Sequence, residues 1–155
     1  MNESINITDR TKLRNLLLSL DLNTIPLWGK MNARQMIEHL VEEVKWANGK
    51  KTCTCDRTEE EAAKSKQVMI YTDAPIPKNV VLEELPKEFL YPDKETAINQ
   101  LMIELDDLDH HFKQPGIITT MHGGFGPLNY QEWLIWHSKH FTHHLRQFKL
   151  LVSKG

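Results

Sequence analysis

The chain has 155 residues, 40% of them hydrophobic and 26% charged, with a formal net charge of −2 at pH 7. That is the composition of one ordinary globular domain spanning residues 1–155, long enough to bury a real core. The balanced charge and the lack of a dense Lys/Arg cluster exclude a nucleic-acid footprint, and no apolar run reaches the length of a membrane span or a secretory leader, so a cytoplasmic protein is expected.

The first helix is expected over residues 8–20, with Thr8 as its N-cap and Leu13, Leu16, Leu17 and Leu20 on its apolar face. Pro26 and Gly29 break the connector that follows. The second opens at Asn32, with Gln35 three residues on to complete a capping box, and runs to Asn48 and Gly49. Met36, Leu40, Val44 and Ala47 form its buried stripe. Cys53 and Cys55 lie in a polar stretch; Cys-x-Cys lacks zinc-knuckle spacing and has no second pair, so they read as free loop thiols.

A short, weakly amphipathic helix is expected from Glu59 to Tyr71. Pro75, Pro77, Pro86 and Pro92 then prevent regular structure, and a segment of this length is expected to wrap the molecule or to cover a site. The third long helix covers residues 93–112, with Ala97, Ile98, Leu101, Met102, Leu105 and Leu108 facing inward, and is stopped by Gln114, Pro115 and Gly116. After an extended piece and a Gly-rich turn at residues 122–127, Asn129 caps the last helix and Glu132 completes its capping box. Long helices dominate and strands are at best short. The expected fold is all-α, an up-down four-helix bundle with an irregular middle segment.

The last helix carries the chemistry. At roughly 100° per residue, Trp133, His140, His144 and Leu151 fall within about 20° of one line. His137 and Phe148 flank it on one side, Trp136 and Gln147 on the other. An imidazole fills a core poorly, because each ring nitrogen needs a partner once water is gone. Two of them one turn apart on an inward face point at one locus, and a metal ion is the simplest partner for both.

A third ligand has to come from another helix, and His39 at the edge of the second helix's stripe is the best placed. By itself His39 reads as a hydrogen-bonded core residue; the pair His140 and His144 is what points to ligation. Glu43, one turn beyond His39, could serve as a partner of the ligand, a fourth ligand or a general acid/base. Gln147 could orient a ligand or a bound water. His137 reads as a packing residue or a neighbour of the ligands, and His143 as a neighbour at the stripe's edge. His110 and His111 read as surface residues at a helix C-terminus. His122 reads as a loop histidine, with a place at the pocket mouth as the alternative. Trp28, Trp46, Trp133 and Trp136 read as core or pocket wall.

The segments Asn-Ala-Arg-Gln-Met-Ile-Glu-His-Leu at residues 32–40 and His-Phe-Thr-His-His-Leu-Arg-Gln-Phe at residues 140–148 resemble the DinB/YfiT-like superfamily of metalloenzymes. Gly-Phe-Gly-Pro-Leu at residues 124–128 is similar to a branch of that superfamily without an assigned function. The resemblance covers both ends of the chain and leaves residues 49–93 unmatched. It implies a four-helix bundle in which His39, His140 and His144 bind one divalent metal. Imidazole suits zinc, nickel, iron and copper, and spacing does not choose among them; zinc or nickel is the expected ion, with iron as the alternative. Some members resemble, or are, metal-dependent transferases of low-molecular-weight thiols, while others have lost metal and chemistry.

The expected function is therefore metal-dependent thiol S-transfer or hydrolysis on a small-molecule substrate. A low-molecular-weight thiol is a candidate co-substrate, Glu43 and His137 are candidates for handling protons, and a homodimer is compatible with the fold. The alternative is a non-catalytic binding or stress-response module in which the metal is structural or absent.

Overall fold

Each helix begins where a short polar side chain can take up a free backbone N–H. The computed structural model, which describes residues 2–78 and 85–153, shows this for five α-helices: α1 (Arg10–Leu18), α2 (Ala33–Ala47), α3 (Glu59–Tyr71), α4 (Lys94–Lys113) and α5 (Tyr130–Gln147). Asp9, Asn32, Thr58, Asp93 and Asn129 are their N-caps. The capping boxes Asn32/Gln35 and Asn129/Glu132 both form, each with its two reciprocal bonds. The first helix differs from the expected span. Thr8 is occupied by the Asn6 side chain, which accepts from its backbone N–H and its hydroxyl, so Asp9 caps instead by accepting from Lys12 N.

The molecule is mostly helical. Its only sheet among the described residues is a hairpin of β1 (Thr120–His122) and β2 (Gly126–Leu128), antiparallel with Met121 opposite Pro127. The Gly-rich turn expected at residues 122–127 is the loop of this hairpin.

One continuous core joins the elements. Its fully buried members include Leu13 and Leu17 of α1, Met36 and Leu40 of α2, Ile98 and Leu101 of α4, and Trp133 and Phe141 of α5. α2 packs along α4 and also meets β1 and α5; α1 lies on α4; α3 lies on α5 and β2. The N-terminal segment runs along α5, where Ile5 N donates to Thr142 Oγ1 and Ile7 N to Ser138 Oγ. Leu22, Ile103 and Ile135 remain exposed, as scattered apolar residues do in any folded chain.

The irregular middle wraps α2 in part. Residues 79–84 of the predicted wrap lie outside the described residues. The stretch beyond them is tied to α2: the buried Glu38 carboxylate accepts from Leu90 N and Tyr91 N, Arg34 donates to Tyr91 O, and Gln35 donates to Pro86 O. No described helix is long and apolar enough to cross a membrane.

The end of α2 shows why one glycine is required. Gly49 sits at φ +84°, and a Cβ there would come within 2.7 Å of His111 Cε1. His111 is thus half-buried over this turn rather than a surface residue, while His110 is exposed as expected. Gly116 has the same φ of +84° with nothing within 4 Å. Gly116→Ala should cost about 1 kcal/mol from the left-handed backbone alone, and Gly49→Ala should cost more, within the range of about 1–3 kcal/mol for such sites. Urea unfolding of the two variants checks this; equal losses would mean that the His111 ring simply moves aside.

Candidate metal centre

α5 buries polar and aromatic residues where an ordinary helix would present aliphatic ones. Its buried residues include Trp133, Trp136, His137, His140, His144 and Gln147. Around this face the fold brings α2, and three imidazoles meet. His39 Nε2 lies 3.3 Å from His140 Nε2, and His144 Nε2 lies 3.0 Å from the same atom. One nitrogen of each ring falls within 4.8 Å of the others, so His39, His140 and His144 could hold a metal ion. Nitrogens bonded at about 2.0–2.1 Å to a tetrahedral ion are themselves about 3.3 Å apart. The observed spacings are close to that value.

The proton positions follow from the neighbours. The Trp28 carbonyl can only accept, and Gln147 Nε2 donates to it at 2.9 Å. The Gln147 amide oxygen therefore faces His144 Nδ1, 2.8 Å away, and His144 must donate from Nδ1. Its Nε2 is left with a lone pair aimed at the locus. His39 Nδ1 lies 3.9 Å from Glu43 Oε1, which favours a proton on Nδ1 and a second lone pair at Nε2. In the metal-free protein the proton that separates these lone pairs belongs on His140 Nε2. A cation in its place would satisfy all three nitrogens, and the donor set fits a late first-row divalent ion.

Burial keeps the rings neutral, the form that ligates. His39 is lowered to about 3, first by desolvation and then by His144 and His143. His140 is held well below the ordinary value by desolvation and by His144 and His39. Desolvation lowers His144 as well, with the Gln147 hydrogen bond acting against it.

The other residues singled out in the sequence take distinct places. Glu43 stands behind His39, at the nitrogen facing away from the cluster. His137 is fully buried, with its ring 5.2 Å from Trp133 and nearly parallel to it. His143 touches both His144 and Trp28, at 5.2 Å between ring centroids in each case. Trp133 and Trp136 are buried, whereas Trp28 and Trp46 are half-buried and carry Lys78 and Lys51 over their rings. Cys53 and Cys55 are free thiols; Cys53 donates to Met121 O, and burial pushes its pKa up.

Two features were missed by sequence reasoning. The Trp28 carbonyl that fixes the Gln147 amide belongs to a connector 119 positions away. His122 is not a plain loop residue: it stacks on Phe125 and packs against Trp133 and Trp136. The glycines and the aromatic residue that follow it, Gly123 to Phe125, are the signal that could have placed it in a tight hairpin. Two shallow depressions, of about 480 and 370 Å³, lie on other surfaces, and none of the three histidines lines either one.

No family model, curated protein or solved structure matches this chain.

Burial of so many imidazoles has a consequence for stability. His137 is lowered to about 3 and His122 to about 4, both chiefly by desolvation, against 6.5 for a free ring. A lowered pKa means that the unfolded chain takes up these protons first. The stabilisation is complete above about pH 6.5 and is lost as pH falls from there toward the folded values. Urea midpoints should therefore decline already between pH 6.5 and 5, above the carboxylate range. The decline should be smaller in His137→Phe, and a flat midpoint across that interval would contradict neutral burial.

Proposed function

We propose that the chain is a DinB/YfiT-like metalloprotein, an up-down four-helix bundle formed by α1, α2, α4 and α5 around a single divalent metal. Its activity is transfer or hydrolysis on a small molecule. The observation that carries this reading is the meeting of three neutral imidazole nitrogens at 3.0 and 3.3 Å. Three protein ligands with a position left for water or substrate are the pattern of catalytic zinc sites, whereas structural sites are closed by four. The resemblance of residues 32–40 and 140–148 to the superfamily's ligand segments points the same way.

His39, His140 and His144 would hold the ion, zinc or nickel before iron. When bound, it supplies Lewis acidity, which lowers the pKa of a low-molecular-weight thiol or of water and makes a nucleophile available near neutral pH. The chain's own residues have separable tasks. Gln147 holds the His144 ring by accepting from Nδ1, and Glu43 polarises His39 from behind. With its carboxylate at the outer nitrogen of His39, Glu43 is better placed for this than for closing the metal shell. The half-buried His143 packs against both His144 and the half-buried Trp28, and His143 and Trp28 would form part of the wall that an incoming molecule meets.

Elemental mass spectrometry on untagged protein tests the site. Wild type should carry about one equivalent of a transition metal. His39→Ala and His144→Ala should each lose most of it, and His110→Ala, on the exposed end of α4, should keep it. Comparable occupancy in all four proteins would sink the assignment. Because each ligand's pKa lies below 6.5, metal release should begin only below that pH rather than across the ordinary histidine range. A metal-release titration with a chromogenic chelator reads this directly, and half-release at or above pH 6.5 would argue against these ligands.

A further inference from the structure

Four buried side-chain atoms have no hydrogen-bond partner among the described residues: Trp136 Nε1, His137 Nδ1, His137 Nε2 and His140 Nδ1. All belong to one turn of α5, and their rings form one cluster. Trp136 stacks on His140 with centroids 5.4 Å apart and 16° between planes. His137 lies against Trp133, and His122 touches both tryptophans at 5.5 Å. An orphaned polar atom in a dry core costs about 1–3 kcal/mol, so four in one place call for a shared partner rather than four separate explanations.

The available protons specify that partner. His122 Nδ1 accepts from Gly124 N at 3.0 Å and Phe125 N at 3.1 Å, so its proton is on Nε2. Trp136 Nε1 can only donate. With a cation held at its Nε2, His140 would carry its single proton on the outer nitrogen, Nδ1. Neutral His137 has one N–H and one lone pair, and that lone pair is the cluster's single side-chain acceptor among these atoms. Donors exceed acceptors, and a water molecule offers the missing lone pairs.

We propose that His137 is a positioning residue for the metal ligand His140: an internal water accepts the His140 Nδ1 proton and donates to the lone-pair nitrogen of His137. The inference rests on the metal reading for its purpose. A ligating imidazole needs its outer N–H held by an acceptor, both to fix the ring and to raise its basicity. Gln147 does this for His144, and Glu43 stands at the same position for His39. For His140 the only side chain that can complete the set from within its own cluster is His137, one turn away on α5. His137 is flanked by Trp133 and Phe141 and fully buried, a setting that offers its ring nitrogens no side-chain partner among the described residues.

The test compares wild type, His137→Phe and His137→Gln, using zinc alone as the probe. Competition with a chelating dye should show that His137→Phe binds zinc about 10–100-fold more weakly, while His137→Gln, whose amide can both donate and accept, recovers most of the loss. Thermal melting should show His137→Phe still folded, because an apolar ring replaces one with unmet hydrogen bonds. The second readout is ¹⁵N and ¹H NMR of the imidazoles. In the zinc-bound protein the His140 Nδ1 proton should be visible and protected from exchange, show a cross-peak to water, and lose both properties in His137→Phe. Unchanged zinc affinity together with an unchanged His140 signal in that variant overturns the relay and leaves the metal site intact. Wild type that fails to bind zinc overturns the metal reading and with it the relay, whereas wild type that binds zinc without a protected His140 Nδ1 proton overturns the relay alone.

Discussion

The arrangement of this protein turns on the desolvation of imidazole. A histidine in water is indifferent to its surroundings, but a histidine in a packed core must have each ring nitrogen matched to a donor, an acceptor or an ion. α5 places three such rings, His137, His140 and His144, on its inward face. Every neighbouring element is then constrained by what those nitrogens require. The connector after α1 brings the Trp28 carbonyl to Gln147, Leu27 N donates to the Gln147 carbonyl, and the pair holds the end of α5 while setting the proton of His144. The N-terminal segment holds the middle of the same helix through Thr142 and Ser138. A helix fastened from two sides can present side chains to within the tolerance that a metal site demands.

α2 contributes the opposite wall by a similar economy of position. Glu38 and His39 are adjacent and point to different tasks: the Glu38 carboxylate binds two backbone N–H groups of the segment at residues 90–91, and His39 turns toward α5. Fixing residues 85–92 along the N-terminal half of α2 restrains the stretch of helix from which His39 projects. The long packing contact between α2 and α4 does the rest, aided by Glu104, a buried carboxylate that accepts from Asn48 and Gln100 and pairs with Lys50.

The parts of this that a sequence reader could see are those with a local cause. Capping boxes at Asn32 and Asn129 need only a side chain and its own backbone three residues on, so α2 and α5 were legible to within a residue or two. The His140/His144 stripe followed from helical periodicity, and His39 from its place at the edge of an apolar face. The start of α1 was misplaced because Asn6 competes for Thr8, a contest between two local motifs that periodicity does not rank. His111 was misread because its burial depends on a glycine sixty-two positions earlier, 111 against 49. The Trp28 carbonyl at Gln147 and the packing of His122 on Trp133 and Trp136 are likewise products of tertiary contact, whereas its stacking on Phe125 belongs to the local hairpin.

Under the metal reading, the neutrality of the three ligands determines what the remaining position would attract. A cluster of carboxylates or thiolates would cancel the charge of a divalent ion at its own ligand shell. Three imidazoles cancel none of it. Glu43 stands beyond His39, at the ring nitrogen facing away from the centre, and would disperse the charge through the ring instead of neutralising it there. The site disfavours protons for the reason that it favours a dication. A proton leaves one buried imidazolium with little to solvate it, which is why these pKa values fall, whereas a dication would be solvated by three nitrogens at once. Any further partner of such an ion would see nearly the full double charge in a partly desolvated setting, where electrostatic attraction is stronger than in water. An anionic group is the species such a position selects, and deprotonated thiol and deprotonated water are the two that thiol transfer and hydrolysis respectively require.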